Sequence, residues 1–250
     1  MHPRILLVLS TASSQILMTI SSTTTLLLFV GWALSLLPCS AQNADKVSLQ
    51  FLSFPKSITP EPVELVIGKN KSITVEIPSN ELSPVYKVKR QSQWSVGEST
   101  TDEESKPLFK IFGQGKVLNS PKQLILLVRK GKKNSDGFDV LVIDNRIAHF
   151  GGGKFLFMNA AQVDIAGIVG NEKFAIQPSK HAIIKPEPDK NNRRVCHTLL
   201  YYRKGRETKP FLSSKWPLSG DARGLIFFYH DPRSKQLRLH SIRDFLPKNG

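Results

Sequence analysis

The chain has 250 residues, of which 40% are hydrophobic and 22% are charged. This balance is typical of a globular protein and excludes a disordered polyelectrolyte. Lysine and arginine number 35 against 20 aspartates and glutamates, so the formal net charge is +15. Such a charge favours anionic partners, namely acidic polysaccharides, lipid head groups or nucleic acid; the plain alternative is a solvated basic surface without a dedicated ligand.

The N-terminal segment predicts export. No charged residue occurs between Ile5 and Ala44, and Leu26–Leu37 is a continuous apolar core. Small residues at Cys39 and Ala41 fit a signal peptidase site, so we predict a signal peptide over 1–41 and a mature start near Gln42. The core is short for a transmembrane helix. Retention or lipidation of the leader stays open, and an uncleaved leader would be the only membrane contact. We expect a periplasmic, cell-surface or extracellular protein.

The cysteine content excludes a disulfide scaffold for the mature protein. Of the two cysteines, Cys39 lies in the leader, which leaves Cys196 unpaired. Cys196 sits within a strand pattern and is expected to be a buried thiol. A metal pair with His197 is disfavoured because neighbouring residues on a strand point to opposite faces. No metal, nucleotide or other cofactor is predicted.

Short strand-like runs separated by turn residues occupy the mature chain. We predict strands at Val47–Phe54, Val63–Ile67, Ser72–Ile77, Val85–Lys89, Leu108–Phe112, Leu124–Arg129, Phe138–Ile143, Phe155–Asn159, Val163–Val169, Lys173–Ile176, His181–Ile184, Val195–Arg203, Pro210–Lys215, Leu225–Tyr229 and Gln236–Ile242. No window shows a helical period, and 160–166 would make one helical turn at most. This pattern indicates an all-β fold built as a sandwich or barrel.

Two segments predict β-hairpins of the same design. In Arg223–Phe245 an apolar run meets a turn around Asp231 and is followed by a second, alternating run. Gln123–Asp144 repeats this order of apolar run, polar turn and second run. Period-two hydrophobicity on either side of a turn cluster is the signature of a hairpin.

These hairpins belong to a longer internal repeat. Leu124–Leu127 resembles Leu225–Phe228, and two further matches precede it in the same order. Those matches pair Val66–Ile73 with Ile168–Ala175, and Lys106–Phe109 with Lys209–Leu212. The constant spacing predicts two tandem immunoglobulin-like β-sandwich units at 46–148 and 154–246, joined by a glycine-rich segment at 149–153. The alternative is one larger β-sandwich in which each half supplies one sheet.

The irregular segments carry no nucleotide motif. Gly151, Gly152 and Gly153 mark a hinge or sharp crossing, and Lys154 leads into a strand rather than the helix that a phosphate-binding loop requires. We interpret Val96–Ser105 as an acidic, solvated loop and Lys185–Arg194 as a linker between strands.

Catalytic constellations are absent from the sequence. The mature histidines show neither HExxH nor helical pairing, and no GxSxG turn occurs. They are His149, His181, His197, His230 and His240. Carboxylates cluster only in the acidic segment, which lacks the apolar walls that raise a carboxyl pKa. We therefore expect a protein that is not an enzyme; the alternative is a hydrolase acting on carbohydrate or peptidoglycan.

Basic residues gather at two predicted strand ends. Turns cluster at the ends of a sandwich, so these groups are expected to form one positive rim that binds an anionic ligand. The rim residues are Arg129, Lys130, Lys132, Lys133, Arg203, Lys204 and Arg206. Several aromatic residues lie near the basic groups in sequence, and aromatic faces next to cations suit sugar rings or polyanions. They are Tyr86, Trp94, Tyr201, Tyr202 and Trp216. Trp94 and Trp216 are interpreted as core residues.

The C-terminal half resembles uncharacterised exported β-sandwich proteins of bacteria, through Lys215-Trp216-Pro217 and the closing hairpin FFYHDPRSKQLRLHSIRDF. The resemblance implies export and a β-sandwich fold, and no activity. We expect a non-catalytic binding or structural module of the cell envelope that engages an anionic polymer, a lipid head group or a partner protein. Nucleic acid fits the charge but fits an exported protein poorly.

Overall fold

The described residues are entirely β-structure. The computed structural model describes residues 46–55, 62–69, 71–101, 105–129, 137–231 and 233–247. They form 16 strands, and none of them belongs to a helix, so the all-β prediction is confirmed. Accordingly, no membrane-spanning helix occurs within those ranges. The predicted signal peptide at 1–41 lies outside them.

The strands fall into two sets of eight. The first set is β1 (Lys46–Phe54), β2 (Val63–Gly68), β3 (Lys71–Val75), β4 (Tyr86–Lys89), β5 (Gln93–Thr101), β6 (Pro107–Lys116), β7 (Lys122–Arg129) and β8 (Phe138–Asp144). The second set is β9 (Phe155–Asn159), β10 (Ile165–Val169), β11 (Glu172–Ile176), β12 (His181–Ile184), β13 (Val195–Lys204), β14 (Glu207–Pro217), β15 (Ala222–His230) and β16 (Leu237–Phe245).

The two sets make four sheets with matching strand orders. The first outer sheet has the order β3-β2-β5-β6, and the first inner sheet has the order β4-β1-β7-β8. The second outer sheet, β11-β10-β13-β14, and the second inner sheet, β12-β9-β15-β16, repeat these orders strand for strand. Each inner sheet contains one parallel pair, β1 with β7 or β9 with β15. The internal repeat is therefore structural, although strand pairing aligns Leu212 with Gly113 and not with Phe109, as the sequence match had placed it. The larger sandwich with one sheet from each half is wrong, and the immunoglobulin-like assignment stays a prediction.

Three apolar cores separate the four sheets. One lies between the first outer and first inner sheets and includes Trp94 and Phe51. A second lies between the two inner sheets, where Leu124 and Leu126 meet Leu225 and Phe227. The third lies between the second inner and second outer sheets and contains Cys196. The inner sheets are thus buried on both faces, which explains why β7 and β15 are continuous apolar runs rather than alternating ones.

The first sandwich is closed along the side where β6 meets β8. Gly113 and Gly115 of β6 lie directly against Val140 and Val142 of β8. A Cβ atom at either glycine would come within 2.6 Å of a Val140 methyl group. Only glycine permits this close approach of two strands from different sheets.

The joint between the two sets is packed, not loose. Phe150 is fully buried and belongs to the core between the inner sheets. Arg223 of β15 holds it in place: its Nη1 donates to the Phe150 carbonyl oxygen at 2.5 Å, and its guanidinium lies 4.5 Å from the centre of the Phe150 ring. Gly152 presses against the Gly220 backbone, where a Cβ atom would collide with the carbonyl oxygen. The glycines therefore serve a sharp crossing.

The main error of the sequence prediction concerns 93–105. We predicted a solvated acidic loop from Val96, but β5 continues to Thr101 and pairs with β6 throughout. The outer half of β5, from Glu98, is exposed, because this hairpin extends past the core. The outer half of β5 is held only by its pairing with β6. Because its residues are polar, this half shows no alternating hydrophobicity from which a strand could be predicted. Cys196 is buried and unpaired as predicted, and burial raises the pKa of its thiol.

Replacing Arg223 by methionine should destabilise the fold by about 3 kcal/mol or more. Arg223 is 4% exposed and its Nε donates to Asp244 at 2.7 Å, so the substitution leaves a half-buried carboxylate without its partner. Urea unfolding measures the change. Arg238→Met, on the exposed side of the same hairpin, is the control and should cost less than about 0.5 kcal/mol. Equal stability of the two variants would contradict this role for Arg223.

Candidate ligand-binding groove

The described residues of the predicted basic rim belong to two different sheets. Arg129 ends β7 in the first inner sheet, and its guanidinium lies 5.6 Å from the centre of the Phe138 ring. Lys130, Lys132 and Lys133 lie outside the described residues. Arg203 and Lys204 end β13 in the second outer sheet, and Arg206 is in the exposed turn that follows. The second inner sheet lies between these two positions.

Arg203 belongs to a concave site at one end of the second outer sheet, which we call the tyrosine groove. Its volume is about 460 Å³. The side chains with binding chemistry along it are Asp164, Lys180, His181, Tyr201, Tyr202 and Arg203. Both tyrosines are half-buried, whereas Lys180, His181 and Arg203 are exposed. The groove thus places Arg203 beside Tyr201 and Tyr202, of which Tyr202 also packs against the third core.

Strand pairing brings these residues together. Tyr201 lies beside Ala166 of β10, and Ala166 lies beside Ala175 of β11. The two alanines leave an open space next to Tyr201 on the outer face of the sheet. Lys180 and His181 follow from the turn after β11 and reach the same end of the sheet. No local sequence pattern links Lys180 and His181 to Tyr201, because β12, the segment after it and the first part of β13 separate them along the chain.

Arg203 is only weakly neutralised. Its Nη1 lies 3.7 Å from Oδ2 of Asp164, and both side chains are substantially exposed, at 63% and 42%. An exposed ion pair at this distance contributes little to stability, so a ligand carboxylate or sulfate can compete with Asp164 for the guanidinium. Lys180 adds a second positive charge on the opposite side of the groove.

His181 gives the groove a titratable group. Its side chain stays accessible to solvent, but the protein atoms packed around it partly desolvate the imidazole and lower its pKa below the ordinary value of 6.5, and the neighbouring His149 and Lys180 lower the pKa further. The side chain is therefore uncharged at pH 7.5 and gains its positive charge only on acidification. Protonation of His181 on acidification then adds a third cation to the groove.

The remaining histidines and acids do not form a metal cluster within the described ranges. His197 Nε2 lies 2.7 Å from Asp189 Oδ2 at the exposed opposite end of β13. His240 packs against Phe54 between the inner sheets. In the tyrosine groove itself there is one carboxylate, Asp164, and one imidazole, His181. The arrangement presents cationic donors that can bind an anion and an aromatic ring that can pack against a sugar ring.

Comparisons with known proteins assign the chain to no family. No family model matches the chain, and no curated protein matches it.

Removing the nearest histidine should raise the pKa of His181. In His149→Gln the electrostatic contribution of His149 is lost, so the pKa should move toward 6.5 without reaching it, because burial is the larger cause. An NMR titration of the imidazole resonances measures the shift. His197→Gln, at the other end of β13, is the matched control and should leave His181 unchanged. An unchanged His181 in both variants would mean that His149 does not face it.

Proposed function

We propose that the protein is an exported, non-catalytic module of the cell envelope that binds an acidic polysaccharide through the tyrosine groove. The observation that carries the proposal is the meeting of Tyr201, Tyr202, Lys180 and Arg203 around one concave site. Tyrosine and arginine are the side chains most enriched at binding surfaces, since they supply rigid contact area together with hydrogen-bond donors. Export and the envelope location are expected from the apolar leader and from the resemblance of the closing hairpin.

An acidic polymer fits better than a small anion. The positive and titratable side chains of the groove lie on β13, at the start of β12 and in the turn before it, so a chain of anionic groups can reach several of them. Lys204 and Arg206 extend the positive surface past the end of β13. Several weak, exposed ion pairs along a polymer add up where each single pair would be insignificant. Arginine can bind a carboxylate through two parallel hydrogen bonds, which favours uronic acids and sulfates.

Neutralising the groove should weaken polymer binding about tenfold. Exposed ion pairs contribute up to about 1 kcal/mol each, so losing two costs about 1.4 kcal/mol. The variant is Lys180→Gln with Arg203→Gln, tested by calorimetry with polygalacturonate and dextran sulfate at low and moderate salt. Residues 44–250 are used, since they form one compact unit. Wild-type binding should fall steeply with salt.

A charge-matched control separates a groove from general basicity. Lys215→Gln with Arg238→Gln removes two exposed cations elsewhere on the second set of strands and should change affinity little. A third variant removes Arg129, Lys130, Lys132 and Lys133, the other half of the predicted rim. Loss of binding in this third variant alone would move the site to the β7–β8 connection and overturn the groove. Release of reducing ends from the polymer would favour the hydrolase instead.

Binding to dextran sulfate should tighten as the pH falls below 6.5. The sulfates stay charged throughout, whereas His181 gains a proton as the pH passes through its lowered pKa. The added positive charge attracts the polymer, so affinity rises on the acidic side. His181→Gln should flatten this dependence and leave affinity at pH 7.5 unchanged. A pH profile that is the same in His181→Gln would exclude His181 from the binding surface.

A further inference from the structure

The second sandwich has an apolar cleft where the first sandwich is closed. The cleft lies between β14 and β16, and its volume is about 270 Å³. Strand pairing equates Leu212 of β14 with Gly113 of β6, and Leu239 of β16 with Val140 of β8. In the first sandwich that glycine and that valine touch. In the second, both leucines line the open space. The repeat has thus kept its topology and changed this one side.

The walls of the cleft are hydrophobic and aromatic. Phe155 and Ile226 form the floor, and Leu212, Trp216 and Leu239 form the sides. Trp216 is half-buried, and its ring centre lies 5.6 Å from that of Phe155. We predicted Trp216 as a core residue; it packs on the core and also presents surface to the cleft. Such a volume is close to the smallest sites that bind small organic molecules, so it suits one alkyl chain.

A cation stands on the cleft side of β16. Leu239, Ser241 and Arg243 alternate onto the face that looks toward β14, since successive residues of a strand point to opposite faces. The Arg243 guanidinium lies over the Phe245 ring at 5.0 Å, and no acidic residue within the described ranges pairs with it. Phe245 itself is 65% exposed, an unusual exposure for a large apolar ring.

The acidic residues next to the mouth are engaged elsewhere. Asp244 lies on the opposite face of β16 and accepts from Arg223. Asp221 hydrogen-bonds with Ser219. Of the two arginines in the cleft lining, Arg223 is paired with Asp244, so Arg243 is the one placed to meet an anionic group. A ligand that complements the apolar walls and Arg243 is an amphiphile with an anionic head.

We propose that this cleft binds the alkyl chain of a carboxylate amphiphile, with Arg243 on the carboxylate. The site shares no residue with the tyrosine groove and is independent of the function proposed for it. The planar fork of the Arg243 guanidinium can bind both oxygens of a carboxylate through two parallel hydrogen bonds. A cationic amphiphile would place its head against Arg243 and should be rejected.

Calorimetry with decanoate, decanol and decyltrimethylammonium on residues 44–250 tests the site. Decanoate should bind saturably with one molecule per chain, and decyltrimethylammonium at least tenfold more weakly. Ser241→Trp fills the mouth and should abolish decanoate binding. Ser213→Trp places the same side chain on β14 outside the cleft lining and is the matched control, with wild-type affinity expected. Arg243→Gln should cut the preference for decanoate over decanol about tenfold.

Each opposite result overturns the proposal. Decanoate that fails to saturate, or that binds Ser241→Trp as it binds the control, means that the cleft is not its site. Equal affinity for decanoate and decyltrimethylammonium removes the role of Arg243. Thermal unfolding of both tryptophan variants checks that they fold. Should Ser241→Trp not fold, the selectivity of Arg243→Gln decides alone.

Discussion

Burial of both faces of the two inner sheets is the constraint on which the rest of the structure depends. Each inner sheet covers an outer sheet on one side and the other inner sheet on the opposite side. The central strands β7 and β15 are therefore apolar along most of their length, and they pair in parallel with a strand from the start of their own set. Most polar groups, including the turns and both candidate sites, lie on the outer sheets and at the edges. Gln123 of β7 and Arg223 of β15 are buried exceptions. They are tolerated because they are hydrogen-bonded: Gln123 accepts from Trp94, and Asp244 and the Phe150 carbonyl accept from Arg223.

The sequence predicted most of this architecture for a physical reason. Hydrophobic periodicity is local, so the hairpins Gln123–Asp144 and Arg223–Phe245 are visible in the chain, and the repeat multiplies the signal. The pairing of β1 with β7 is not visible, because no turn joins the partners. The outer half of β5 was not predicted as a strand, because a strand that extends past the core needs no apolar face. The packing of the two inner sheets against each other was missed as well, although the unbroken apolar runs at Leu124 and Leu225 already indicated strands with two buried faces.

The candidate sites divide in the same way. Tyr201, Tyr202 and Arg203 are neighbours in sequence and were found together, whereas Lys180, His181 and Asp164 join them only through sheet pairing. The sequence of the second set of strands alone does not indicate the cleft beside Trp216. It becomes visible when the two copies are superimposed in register and the glycines of β6 are compared with the larger residues of β14. Because the chain contains two copies of the same strand arrangement, a difference between equivalent residues shows where one copy has changed.

The contact between the inner sheets also has a meaning for the origin of the chain. Equivalent positions from the two sets meet there: Leu124 and Leu126 from one, Leu225 and Phe227 from the other. A surface that packs against its own copy defines the isologous interface of a symmetric dimer. A single eight-stranded ancestor with this face would have had to pair with a second copy to cover it. The present molecule has the form of such a homodimer fused end to end, in which covalent linkage freed one subunit to diverge.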